Sequence, residues 1–90
     1  MIDLKSYVTD KNKIEFLETI IQDLSVDSQS EVFLKCNDFC FLLEPHGDEV
    51  EVFSNEETLG VYKTIDDFLL NFLIDGKPFI EKISEIEYDD

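Results

Sequence analysis

Between Val32 and Lys63 apolar residues come in short runs, most of them alternating with polar ones and each bounded by turn residues. That spacing suits little besides an antiparallel sheet. Val32, Leu34 and Cys36 alternate with Phe33 and Lys35, and Asn37-Asp38 then offers a two-residue turn. Phe39 to Leu43 is nearly all apolar, which predicts a central strand covered on both faces. Pro45-His46-Gly47-Asp48 turns the chain, and Glu49 to Phe53 alternates again with its charged side toward solvent. Asn55-Glu56-Glu57 makes the next turn before a short strand from Leu59 to Lys63. Such short connections imply a meander.

Helical periodicity flanks this region. Ile14, Leu17, Ile20, Ile21 and Leu24 predict a helix from about Lys11 to Leu24, with Thr9 or Asp10 as N-cap. Ile2 to Val8 reads equally as a strand or a helical turn, and Ser25 to Ser30 as a loop. Thr64 is placed to cap a later helix, whose Ile65, Phe68, Leu69, Phe72 and Leu73 follow one stripe until Asp75-Gly76. Leu70 and Ile74 fall outside that stripe. Pro78 suits the start of a last helix that turns Phe79, Ile80, Ile83 and Ile86 inward, with a frayed acidic tail around Tyr88. The expected fold is one compact α+β domain over residues 1–90. It has an N-terminal helix, a four-stranded antiparallel meander, and two C-terminal helices packed on one face of the sheet.

Charge limits what such a domain does. Against 22 Asp and Glu stand 7 basic residues, all Lys, for a net charge of −15. A surface like that does not grip nucleic acid or anionic lipid directly. No apolar run approaches the roughly 20 residues of a membrane span. Met1-Ile2-Asp3-Leu4-Lys5 lacks the layout of a secretory signal, and two cysteines without one suggest a reducing cytoplasm. The absence of Arg, Ala and Trp fits an AT-rich coding sequence, as in low-GC bacteria and their mobile elements.

The residues that could do chemistry do not assemble into a motif. Cys36, Cys40 and His46 are possible soft-metal ligands, with Asp48 or Glu44 as a fourth. Yet Cys-x3-Cys spans a hairpin turn, and the thiols read more simply as small core hydrophobes. His46, beside Glu44, Asp48 and Glu49, has no nucleophile to serve and reads as an exposed turn histidine. Gly47, Gly60 and Gly76 are single turn glycines, not a phosphate loop. No catalysis, metal or cofactor is expected.

What remains is the acidic surface. Glu49 and Glu51 share one strand face about 6.6 Å apart, and Glu15 with Glu18 line a helix face. Asp48, Glu56 and Glu57 add charge in the turns, while Phe33, Phe53 and Tyr62 are candidate apolar anchors on the sheet face away from the helices. Carboxylates at phosphate-like spacing can occupy the basic groove of a nucleic-acid-binding protein. In size, charge and layout the chain resembles the small acidic inhibitors that phages and plasmids direct at host defences, anti-CRISPR and anti-restriction proteins among them. It is similar in the same respects to immunity proteins that neutralise nuclease toxins. No shared motif carries the likeness, so it assigns no residue. The expectation is a non-catalytic inhibitor of a basic nucleic-acid-handling protein or nuclease, bound through Glu15, Glu18, Asp48, Glu49, Glu51, Phe53, Glu56 and Glu57. The alternative is an immunity or adaptor protein that holds its partner mainly by apolar anchors.

Overall fold

A computed structural model describes residues 2–26 and 31–89 of the chain. A 3-10 turn at Leu4–Ser6 opens it, followed by helix α1 at Lys11–Val26. Of the two possible caps it is Asp10 that acts, its Oδ1 accepting from the Asn12 amide at 2.9 Å. Leu17, Ile20 and Leu24 are buried, and Glu15, Glu18, Thr19, Gln22 and Asp23 face outward. The loop expected from Ser25 to Ser30 begins inside α1, and its residues 27–30 lie outside the described residues.

Four strands follow as a meander: β1 at Val32–Cys36, β2 at Phe39–His46, β3 at Glu49–Ser54 and β4 at Glu57–Tyr62. Asn37, Gly47, Asn55 and Glu56, all in the connecting turns, take positive φ. At the third turn both central residues do, with Asn55 at 53° and Glu56 at 67°, so a glutamate occupies a conformation that favours glycine. A bulge between Val52 and Phe53 shifts the β3–β4 register, so that Val52 pairs with Gly60 but Phe53 with Thr58.

The domain is α+β, but beyond Thr64 the layout differs from the expected one. Thr64 does cap helix α2 at Ile65–Asn71, its hydroxyl accepting from the Asp67 amide at 3.0 Å. The helix stops at Asn71, because Phe72 turns extended at φ −77° and ψ 110°. Strands β5 at Leu73–Ile74 and β6 at Lys77–Pro78 then form a small hairpin around Asp75-Gly76. Positive φ at both turn residues, 54° and 80°, makes this pair a hairpin turn rather than a helix terminus. The expected last helix is a 3-10 segment, Phe79–Glu85, which still buries Phe79, Ile80 and Ile83.

The acidic tail expected to be frayed carries a strand as far as Tyr88. Ile86–Tyr88 is strand β7, antiparallel to β1, so the sheet has five strands in the order β4-β3-β2-β1-β7. Burial and two contacts with α1 help to hold it in place. Ile86 is fully buried, Lys13 Nζ donates to the Ile86 carbonyl at 2.7 Å, and the Tyr88 ring meets Phe16 edge-on at 4.9 Å. Without β7, the outer edge of β1 would present unpaired backbone groups.

The helical elements share one side of the sheet, α1 packing on β1 and β2 and α2 on β3 and β4. The core lies between the layers, and Phe41, Phe68, Phe72 and Phe79 meet at its centre, with Phe68 and Phe79 4.7 Å apart. Lys82 is also buried, its Nζ 2.6 Å from Glu85 Oε2 and 3.8 Å from Asp75 Oδ2. No helix among the described residues is long and apolar enough to cross a membrane.

Candidate functional site: the open face of the sheet

Side chains on a strand alternate between faces, and on β1 the buried residues are Val32, Leu34 and Cys36. Phe33 and Lys35 therefore lie on the far side, away from the helices. Strand β2 alternates too, burying Phe41, Leu43 and Pro45, while Cys40 and His46 are exposed and Leu42 and Glu44 half-buried. The expectation that β2 is covered on both faces is thus wrong. Its apolar run exists because Leu42 belongs to an exposed apolar patch, not because a second layer covers it.

The register assembles that patch. Phe33 pairs with Leu42 and Leu42 with Phe53, so three apolar side chains form a row across β1, β2 and β3. Phe33 is 53% exposed, and the other two are half-buried. A depression of about 300 Å³ opens here, lined by this row and bordered by Glu44, Glu56 and Asp89. Each border residue has a local reason to be there. Glu44 is the next residue beyond Leu42 on the same face of β2, and Glu56 sits in the turn after β3. The Asp89 amide donates to the Phe33 carbonyl at 3.0 Å, which carries the end of the chain alongside β1. Where the β2–β3 ladder ends, the Ser54 hydroxyl ties β3 to the Cys40 carbonyl at 2.8 Å. Partial loss of solvent around it, followed by the Asp89 carboxylate to which it is hydrogen-bonded, pushes the exposed Cys40 thiol up.

Next to the apolar row runs a polar one. Glu44 pairs with Glu51 and His46 with Glu49. His46 Nε2 lies 3.1 Å from Glu51 Oε1 and 3.3 Å from Glu44 Oε1, and the Thr58 hydroxyl donates to Glu51 Oε2 at 2.9 Å. This network holds the Glu51 side chain, which is only 22% exposed. The histidine expected to be exposed in a turn is exposed, at the end of β2, and it also bridges two carboxylates across strands. Farther along the face Lys35 meets Glu87 at 3.5 Å.

The residues expected to form one surface are therefore divided. Glu49, Glu51 and Phe53 share the open side of β3, with Glu56 and Glu57 just past its end. Asp48 is at the other end of β3, in a groove with Leu24, Ser25 and Thr64 beside the helices. Glu15 and Glu18 are on α1, in the layer behind the sheet, where Glu18 borders an apolar groove with Ile21 and Leu69. Of the three anchors, Phe33 and Phe53 are on the open face. Tyr62 is not: it pairs with buried Val50 and its ring packs against Phe68 at 5.8 Å. Leu70 is exposed, whereas Ile74 joins the core. Cys36 faces the core while Cys40 and His46 face outward, so these three donors do not converge.

Sequence reasoning missed Leu42 and Asp89 as parts of this surface. Parity counted from Val32 could have placed Leu42. Asp89 depends on β7, for which the local pattern gives no cue. The class of molecule so defined is a two-layer α+β protein with one face of its sheet left uncovered by the described residues, aromatic at the centre and acidic at the border. No family model, curated protein or solved structure matches the chain.

Proposed function

We propose that this chain is a non-catalytic acidic inhibitor that seats the open face of its sheet on a basic nucleic-acid-handling protein, such as a nuclease, and competes there with nucleic acid. The observation behind this reading is the uncovered row Phe33–Leu42–Phe53, set among carboxylates in a chain of net charge −15. Long-range attraction would speed encounter, and the apolar row would slow departure. The exposed acids Glu49 and Glu56 carry charge on this side, and Glu57 adds to it from the start of β4, where it pairs with Ser54. Glu51 contributes less, because His46 and Thr58 already engage it.

The test is capture from source cells on the immobilised protein with elution in rising salt, then competition by DNA or RNA for the recovered partner. A basic nucleic-acid-binding protein released at moderate salt and displaced by nucleic acid is the expected result. Exposed pairs are each worth up to about 1 kcal/mol, so Glu49→Lys with Glu56→Lys and Glu57→Lys should weaken binding about a hundredfold. Unchanged affinity in that triple variant would sink the assignment. The exposure of Phe33 favours a second reading, an immunity or adaptor protein held by apolar contact. A partner that stays bound through high salt and ignores nucleic acid would establish it.

A further inference from the structure

Resting on that docking reading, we propose that the depression on the open face receives a single arginine side chain of the basic partner. Its planar head would lie on the Phe33 and Phe53 rings and bond to the carboxylates at the border. The lining is of two kinds. Phe33, Leu42 and Phe53 form an apolar row across three strands, while Glu44, Glu56 and Asp89 stand around it. An aliphatic or aromatic anchor would fill the apolar part but strip water from the carboxylates without replacing their hydrogen bonds. An acidic anchor would be repelled. A long cationic side chain satisfies both parts, its methylene stem on the apolar row and its charge at the border.

Arginine suits the place better than lysine. Its guanidinium stacks on aromatic faces and carries five donors in a fixed plane, so one group can reach carboxylates on more than one side. Lysine offers a compact, strongly hydrated point charge. The cationic groups nearby are already engaged within the face, Lys35 with Glu87 and His46 with Glu44 and Glu51, so Glu56 is left for an incoming charge, together with Asp89, which is bonded to the neutral Cys40 thiol rather than to a cation. At about 300 Å³ the depression is at the small end of ligand sites, which fits one side chain. A second copy of this chain is a poor occupant, since each carries a charge of −15 and would meet the first with the same acids.

The test uses two capped hexapeptides of equal charge, one of arginine and one of lysine, titrated into the isotopically labelled full chain at low ionic strength and followed by NMR. Arginine is expected to bind about fivefold more tightly than lysine. Its shift changes should concentrate at Phe33, Leu42, Phe53 and Glu56. Phe33→Ala, at an exposed position, should bring the arginine peptide down to the affinity of the lysine peptide, and Glu56→Gln should weaken the arginine peptide more than the lysine one. Equal affinities, or shifts spread over α1 as much as over the sheet, would overturn the arginine anchor and leave the charge-based reading standing. If neither peptide binds, both fall.

Discussion

Cys36 and Cys40 stand at the two ends of one tight turn, yet one thiol is sealed in the core and the other lies on the open face. The same parity divides β1, β2 and β3 of the sheet. Behind it, Leu34, Leu43, Val50 and Val52 are fully buried. In front, Phe33, Glu49 and Phe53 keep contact with water, and their neighbours are arranged by charge. The back face is specified by shape, where each lost methylene is felt. The front is free to be chosen for what it meets.

This contrast can be broken most directly with a thiol reagent. Native protein should lose Cys40 at the rate of an accessible, if sluggish, thiol. Cys36 should react only through unfolding, slower by about a thousandfold or more for a domain of ordinary stability. Comparable rates in a mass-spectrometric time course would mean that the two faces are not distinct. Truncations should follow the same division. Phe79→Ala, in contact with Phe41, Phe68 and Phe72, should cost about 3–5 kcal/mol in urea unfolding. Phe33→Ala should cost no more than about 1 kcal/mol, the range of a cross-strand pair.

A subtler division runs through Glu56, which stands at φ 67°. Glu56→Gly should raise stability by about 1 kcal/mol by relieving a left-handed non-glycine residue, while weakening partner binding. A variant that gains in both would show that the acid has no role at the surface. The smallest effect concerns Glu85. A hydrogen bond from Lys82, then one from Asn37, then the Lys82 charge hold its carboxyl below the ordinary value near 4.5. Its stabilising contribution is therefore complete above that ordinary value and is lost as pH falls through the lowered one. Glu85→Gln should flatten the acid limb of a stability–pH curve, and an unaltered limb would assign acid sensitivity to other carboxylates.

How much of this was readable depends on how far apart the interacting residues are in sequence. The residues of Ile2 to Val8 suit a strand or a helical turn equally, but from Lys11 through Thr64 each element is announced by its own residues: the stripe of α1, the alternation of β1 and β3, the caps and the turn residues. The stripe from Ile65 to Leu73 promised a longer helix than exists, because Phe72 can satisfy a helical register or an extended one with the same burial. Asp75-Gly76 serves as a helix stop or a hairpin turn with equal ease, and the hairpin won here by pairing Leu73 with Pro78. Ile86-Glu87-Tyr88 is too short to show a period, and its pairing partner is β1, near the other end of the sheet's sequence. On the candidate surface, the acids of β3 and its flanking turns were visible. The cross-strand register joining Phe33, Leu42 and Phe53 was not, since it emerges only when two turn lengths are known together.

Strand β7 also sets a timetable. Chains grow at about 5–20 residues per second, so Leu34 leaves the ribosome seconds before its partner Tyr88 exists. In that interval β1 has β2 on one side and an unclaimed edge on the other, next to an apolar core still lacking Phe79, Ile80 and Ile83. The nascent chain is open to wrong pairing at this stage, and the arrival of β7, the last strand of this sheet in sequence, ends the exposure.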